Sequence, residues 1–253
     1  GYDWLMRAYD GTMDGTPYNT GRAYFNRDSG TGIDKFLDDW LPSYKATRKD
    51  GLYCLITCNH DTIRPAANLT AQELKLAYAM LFTMPGAPYL YYGDEIGMRY
   101  QNLPTKEGGY VRTGSRTPMQ WAPGKNLGFS EAEAGALYLP VDPSPDAPTV
   151  AAQQADPDSL WNTVKALLAF RHGHRDLDSD APFKVLFAPK AKGDFRPFAW
   201  QRGALVCAVN PAGARAELPL HVEDTPRVLF SIGSAEIEPG KLVLGAQSFA
   251  ILA

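Results

Sequence analysis

The chain has 253 residues, of which 45% are hydrophobic and 21% charged, and its formal net charge is −3. This slightly acidic balance without a basic block argues against nucleic-acid binding, and no apolar run approaches the ~20 residues that cross a bilayer. The three cysteines, Cys54, Cys58 and Cys207, include no Cys-x-x-Cys pair, which argues against a disulfide framework and a zinc site. They suit the reduced thiols of a cytoplasmic protein, with a secreted parent as the alternative.

The first elements along the chain are a loop and a helix. Residues 10–32 are rich in Gly, Asp, Asn and Thr, which predicts a loop. Apolar residues then recur at helical spacing from Ile33 to Tyr44. Pro42 lies inside this pattern, so we expect a kink or an early end of the helix there.

Two short apolar runs with a helix between them predict a parallel sheet. Leu52–Cys58 is apolar and partly β-branched, which fits a strand buried on both faces. Thr70–Glu73 matches a capping box, and Pro85–Gly86 ends the helix that it opens. Tyr89–Tyr92 predicts a second buried strand. Helices that alternate with strands over short links are typical of βα units and therefore of the α/β class.

The second half of the chain changes character twice. Regular patterns disappear for about sixty residues after Gly97, and a loop of this length is usually functional or packed over a scaffold. Asp156–Pro157 then predicts a helix start. Its apolar face comprises Leu160, Val164, Leu167, Leu168 and the aliphatic stem of Arg171. From about Pro182 onward, short β runs separated by turn residues predict an antiparallel β domain.

This β domain is predicted to act as a brace. It carries no metal spacing and no His-carboxylate pair at a strand end. We expect it to pack on the preceding domain through Phe183, Phe187, Trp200 and Phe249. Trp200 is also the aromatic residue that we would test for glycan binding.

Polar clusters follow both predicted strands, at the point where each strand ends. Asn59-His60-Asp61 follows the first strand, and Gly93-Asp94-Glu95 follows the second. Ligands of parallel α/β sheets bind beyond the carboxyl ends of the strands, where the loops converge. A carboxylate beside an imidazole can hold sugar hydroxyls or stabilise developing positive charge. Alternatively, Asp61 caps a following turn, and Glu95, for which we favour a structural role, satisfies backbone donors behind the rim.

Two arginines are further candidates for this site. Arg64 either neutralises a carboxylate in the site or lies on the surface. Arg116 lies in the loop from Arg99 to Trp121, which follows the second strand and should start on the same face. Its planar fork of donors suits sugar hydroxyls or a carboxylate, and the alternative is that it binds backbone carbonyls. Trp121 offers a flat face for a sugar ring or anchors the loop.

Several segments resemble the α-amylase family of glycoside hydrolases, family 13. "ITCNHDTIRP" is similar to the Asn-His-Asp segment of that family, and "GAPYLYYGDEIGM" is similar to its last barrel strand. "SRTPMQW", followed in order by "GFS", "YLPV" and "QQADPDSLWN", resembles the branch of oligo-1,6-glucosidases, sucrose isomerases and trehalose synthases. The resemblance runs from about Trp4 through Phe170.

The resemblance implies a retaining mechanism on α-glucosidic bonds. It maps Asp61 to the family aspartate that stabilises the transition state and His60 to the histidine that binds the same sugar. From their positions near the same edge, we also assign Arg64 and Arg116 to substrate binding. The nucleophilic Asp and the acid/base Glu belong to barrel strands four and five, whose motifs this chain lacks. A transglycosylating isomerase and a non-catalytic sugar-binding or scaffold relative are the alternatives.

The resemblance also implies the architecture. Residues 1–178 would form part of a (β/α)8 TIM barrel, about strands six to eight, with strand six near Gly1–Met6. Residues 179–253 would form the antiparallel β-sandwich domain. The remaining barrel half would lie in the same or another chain. The calcium loop of the family maps upstream, so we expect no cofactor within this chain.

Overall fold

A computed structural model of the protein describes residues 3–6, 23–106, 112–188, 197–219 and 226–253. The α-helices are α1 (Asp3–Met6), α2 (Asp34–Thr47), α3 (Ala71–Thr83), α4 (Val150–Ala155) and α5 (Leu160–Gly173). The strands of the first half are β1 (Cys54–Ile56) and β2 (Ala87–Tyr89). Those of the second half are β3 (Phe183–Phe187), β4 (Phe198–Arg202), β5 (Leu205–Asn210), β6 (Ala216–Pro219), β7 (Val228–Ile232), β8 (Ala235–Glu238), β9 (Lys241–Leu244) and β10 (Ser248–Leu252).

The strands β1 and β2 pair in parallel, with Ile56 opposite Tyr89. Both are shorter than the predicted runs, and β2 begins two residues before the predicted Tyr89. The helix α3 connects them and begins with the predicted capping box, in which Thr70 and Glu73 satisfy each other's backbone N–H groups. This strand, helix and strand form the βα arrangement that the sequence indicates.

Three expectations about the segments that form α1, α2 and α5 need correction, and the first two concern α1 and α2. The predicted strand near Gly1–Met6 is wrong for residues 3–6, which form α1, and Gly1 and Tyr2 lie outside the described residues. Buried Leu5 instead accepts a backbone hydrogen bond from Phe25 (3.1 Å). The early end at Pro42 is also wrong, because α2 continues to Thr47.

Aromatic packing explains why α2 continues past its proline. Trp40 stacks on Phe36 and on Tyr44, with ring centroids 5.4 and 4.8 Å apart. These three side chains are buried, whereas Pro42 lies on the exposed side of the helix. Core contacts on both sides of Pro42 therefore favour a continuous helix over the lost backbone hydrogen bond.

The third correction concerns the start of α5. Its N-cap is Ser159, whose hydroxyl accepts from the N–H of Asn162 (3.1 Å). Asp156 instead ends α4. The buried residues of α5 are Leu160, Val164, Leu167 and Arg171, as the apolar spacing predicts.

The ten strands include two antiparallel sheets in the second half of the described chain. One has the order β3-β4-β5-β10-β7, and the other has the order β6-β9-β8. Along β4, β5 and β10 the buried side chains alternate between two faces. The larger ones, such as Trp200 and Phe249, pack with the helices, whereas the small Ala199 and Ala208 face the core against the three-stranded sheet.

This layering modifies the predicted brace. Phe183, Trp200 and Phe249 do pack against the helical core, and Phe183 meets Trp40 at 5.3 Å. Phe187 instead packs into the core between the two sheets. Trp200 is fully buried, so the glycan contact considered for it is wrong. Among the helices of the described residues, none combines the length and apolar character that crossing a membrane requires.

Candidate active site

The parallel strands bring two loops to one edge. The backbone N–H of Thr57, just after β1, donates to the carbonyl of Tyr89 at the end of β2 (3.0 Å). His60 and Asp61 follow on the first loop, and Asp94 follows on the second. The predicted convergence of polar residues beyond the strand ends is therefore present.

Asp61 holds a cluster of basic side chains at this edge. Its Oδ1 accepts from Nη2 of Arg116 (2.8 Å) and from Nη1 of Arg112 (3.2 Å). Its Oδ2 lies 3.2 Å from Nε2 of His60. The side chain keeps 44% of its surface exposed, so a ligand can reach it. The alternative that Asp61 caps a turn does not match, because the side chain of Asn59 accepts the Asp61 N–H instead.

These contacts set the electrostatics of Asp61. Partial desolvation raises the pKa of the carboxyl. The hydrogen bonds from Arg116 and Arg112, together with the electrostatic influence of His60 and Arg112, outweigh this effect and lower the pKa below its ordinary value. Asp61 is therefore a carboxylate at neutral pH and stays so further into the acid range.

His60 lies beside Asp61 with 61% of its side chain exposed. Its backbone carbonyl accepts from Nε of Arg116 (2.9 Å). Arg116 thus combines the two roles that the sequence left open, since it binds a carboxylate in the site and a backbone carbonyl. A single guanidinium fixes both the main chain at His60 and the carboxylate of Asp61.

Sequence reasoning missed Arg112. It is separated from Arg116 by Thr113–Ser115, a single 3₁₀ turn that brings both guanidinium groups to Asp61. The spacing of two arginines four residues apart in "RTGSR" is the signal that could have identified it. Residue spacing in an irregular loop does not fix which side chains meet, so the pattern alone carried little information.

Arg64 is buried with no exposed side-chain surface, so it does not lie where a sugar could touch it. Of the two alternatives from the sequence, it neutralises a carboxylate, because Nη1 donates to Oδ1 of Asp94 (2.8 Å). Burial raises the pKa of Asp94, and the charge of Arg64 with hydrogen bonds from Thr57 and Cys58 counteracts that rise. The assignment of Arg64 to direct substrate binding therefore does not match this geometry.

Glu95 takes the structural position considered for it. Burial raises its pKa, while hydrogen bonds from the N–H groups of Glu95 and Gly93 act in the opposite direction. In the following loop, Met119 packs against Ile96 and Met98. Trp121 has 51% of its surface exposed, so its ring does not anchor the loop.

The described residues bring together Asp61, His60, Arg112 and Arg116. Within these ranges, no group of three or more His, Cys, Asp or Glu side chains is arranged as metal ligands would be. The arrangement offers a carboxylate, an imidazole and two guanidinium groups to a polar ligand. Within the described residues, the hydrogen bonds and ion pairs of the Asp61 carboxylate are all with basic side chains.

Comparison with known proteins shows which family and which folds the chain resembles. The family described as "Alpha amylase, catalytic domain" matches residues 31–180. The trehalose synthase/amylase TreS of Mycobacterium tuberculosis is 34% identical over 148 residues, which are 52% of this chain and 23% of that protein. The probable oligo-1,6-glucosidase 2 of Bacillus subtilis is 32% identical over 168 residues, or 53% of this chain and 29% of that protein.

Solved structures share the fold. An inactive double mutant of MutB in complex with isomaltulose superposes with a TM-score of 0.72 at 18% identity, over 87% of this chain and 46% of that one. The trehalose-6-phosphate hydrolase of Bacillus licheniformis gives 0.69 at 19% identity, over 87% and 46%. Such identities establish the fold alone, a partial TIM barrel with a β domain. The chain spans less than a third of the two curated relatives above and just under half of these structures.

Proposed function

Because the chain belongs to the alpha-amylase catalytic domain family, we propose that the complete protein is a retaining glycosidase of short α-glucosides. The observation that carries this proposal is the exposed carboxylate of Asp61 at the carboxyl edge of two parallel strands, with His60 beside it. In a closed βα barrel this edge is where the active site forms.

Asp61 would stabilise the transition state, and His60 would bind the same sugar. Glycoside cleavage passes through an oxocarbenium-like state with positive charge on the flattened ring, and an ionised carboxylate close to that charge lowers its energy. The two arginines hold the carboxylate in one place and keep it ionised. We propose that Arg64 supports the site from the protein interior, whereas Arg116 acts at the edge of the site.

The nucleophile and the acid/base must come from outside the described site. Retaining chemistry needs two carboxyl groups ~5–5.5 Å apart. We propose that an Asp and a Glu at the ends of two further barrel strands supply them. These strands would belong to the remaining barrel half, in the same polypeptide or another, whose outermost strands would pair with the open edges of β1 and β2.

A transglycosylating isomerase is the second candidate. The support is the 34% identity to trehalose synthase/amylase TreS. An isomerase passes through the same glycosyl intermediate and transfers the sugar back to its own leaving group rather than to water. Both candidates use Asp61 in the same way, and product analysis distinguishes them.

The test is an assay of the complete protein on p-nitrophenyl α-glucoside, maltose, isomaltose and sucrose. We expect turnover of at least one of these substrates, and glucose, trehalose or isomaltulose as the product identifies the reaction. The chain of 253 residues by itself should show no turnover. A complete protein that binds these sugars without cleaving them would instead support the non-catalytic alternative.

Replacing Arg116 by alanine tests whether the loop after β2 affects specificity. We expect the ratios of kcat/KM among maltose, isomaltose and sucrose to change by about threefold or more, because differential contacts set such ratios. Loss of the hydrogen bond to Asp61 should also raise the pKa of that carboxyl. The acid side of the pH-activity profile should therefore move to higher pH.

Arg99→Ala is the matched control for this substitution. Arg99 lies in the same loop region but pairs with Asp142 and Asp146. It should leave the substrate ratios unchanged. If Arg116→Ala lowers activity on all three sugars in the same proportion, together with the thermal midpoint, Arg116 only braces the loop.

We further propose that the β domain begins at residue 179, after the barrel portion of residues 1–178. The family match that ends at residue 180 and the start of β3 at Phe183 support this boundary. We also propose a cytoplasmic protein whose structural calcium, where the family's loop carries one, binds in the upstream part.

A further inference from the structure

A buried ion pair lies directly beneath the candidate site. Oδ2 of Asp94 accepts from the Thr57 hydroxyl (2.5 Å) and the Cys58 thiol (3.0 Å), and Oδ1 binds Arg64. Thr57 and Cys58 stand immediately before the segment that carries Asp61. The carboxylate of Asp94 thus connects the loop after β1 to the loop after β2.

Arg64 extends this connection to a third segment. Its Nη1 also donates to the carbonyl of Tyr92 (2.8 Å), and its Nη2 donates to the carbonyl of Ser115 (3.0 Å). The guanidinium carbon lies 4.9 Å from each of the ring centroids of Tyr91 and Tyr92. Two aromatic rings and three acceptors around the guanidinium group restrict its orientation.

Ser115 connects the buried Arg64–Asp94 ion pair to the candidate site. Its hydroxyl donates to the carbonyl of Thr62, one residue after Asp61. Its N–H donates to the carbonyl of Arg112 (3.1 Å), and the N–H of Arg116 donates to the carbonyl of Thr113 (3.0 Å). Fixing Ser115 therefore fixes the backbone from which both arginines reach Asp61.

We propose that Arg64 is a positioning residue for Asp61, acting through the Ser115 carbonyl and the two arginines that hold the carboxylate. This inference rests on the proposed function, since it assigns Arg64 to the same site. A purely structural Arg64 would stabilise the fold without acting through Asp61. The two roles differ in whether the effect of Arg64 on the rate depends on Asp61.

The substitution Arg64→Lys in the complete protein distinguishes the positioning role from the purely structural role. Lysine keeps the charge next to Asp94, but a single ammonium group cannot reproduce the planar fork that reaches Ser115 as well. We expect kcat to fall by about tenfold or more, with KM nearly unchanged, because a displaced catalytic group affects mainly the transition state. In an Asp61→Asn background, the same change should lower kcat by less than about twofold.

Arg171→Lys is the matched control. Arg171 is likewise buried and donates to backbone carbonyls, but on the helical side, at Phe82, Met84 and Gly86. It should lower the thermal midpoint and leave kcat unchanged in both backgrounds. If the Arg64→Lys variant does not fold, Asp94→Asn replaces it in this double-mutant cycle, measured in the parent and in the Asp61→Asn background. Asp94→Asn removes the charge that holds Arg64.

The cycle has distinct outcomes. Equal losses from Arg64→Lys in the parent and in the Asp61→Asn background overturn the positioning role and leave the proposed function intact. A complete parent protein without turnover overturns the proposed function, and the positioning role with it. A loss that disappears in the Asp61→Asn background, in an active enzyme, supports both.

Discussion

Asp61→Asn should lower kcat of the complete protein by about a hundredfold to a thousandfold, with a much smaller change in KM. Asparagine keeps the shape and much of the hydrogen bonding of the side chain but removes its negative charge. The charge matters most when the sugar ring becomes positive, so the loss falls on the transition state rather than on the bound substrate. His60→Ala should lower kcat less, since it removes a hydrogen bond and no permanent charge. Steady-state kinetics on the best substrate measures both.

Glu217→Gln is the control for this substitution. Glu217 on β6 is also an exposed carboxylate held by two cations, Arg215 (2.9 Å) and Lys241 (3.0 Å), and their contacts lower its pKa. Removing its charge should leave kcat and KM unchanged, because it lies on the outer sheet of the β domain. Equal rates for Asp61→Asn and the parent would remove Asp61 from the site.

The sequence predicts where the candidate site lies better than it predicts which residues form it. An apolar run that stops at Asn59–Asp61 already indicates a strand end with polar groups beyond it, because local patterns record burial. Arg112 and the burial of Arg64 could not be predicted in this way. Both depend on how the loop after β2 folds back over the loop after β1, and no periodicity governs that contact.

The contrast between local patterns and long-range contacts also explains which parts of the fold the sequence predicts. The helix α3 was predictable because its capping box and apolar face agree. The strands β6 and β8 carry weaker sequence signals, since both are short and have several exposed residues. The segment at residues 3–6 was assigned to a strand by its order in the resembling family, whereas its own backbone forms a helix with Leu5 and Met6 buried.

A buried arginine joins the β domain to the end of α3. Arg202, on β4, donates to the carbonyls of Thr83 and Asp178, both at 2.6 Å. Thr83 is the last residue of α3, where helix carbonyls lack partners within the helix. Burial, followed by the charge of nearby Arg171, lowers the pKa of Arg202 to about 10. Arg202 therefore stays protonated at neutral pH and supplies these carbonyls with charged donors.

Arg202→Met should lower the free energy of unfolding by about 2–4 kcal/mol. The buried carbonyl of Thr83 and the partly buried carbonyl of Asp178 lose their donors, at about 1–3 kcal/mol each, and relief from burying the charge offsets part of that loss. Denaturant-induced unfolding of the complete protein measures the change. The control is Arg215→Met, an exposed arginine of the neighbouring sheet, which should change stability little because surface ion pairs contribute little. Variant protein that remains folded should keep its kcat, since Arg202 contacts the last residue of α3 and not the loops of the candidate site. Unfolding of both variants at the parent's denaturant concentration would show that the β domain is held to α3 by apolar packing alone, through residues such as Trp200 and Phe249.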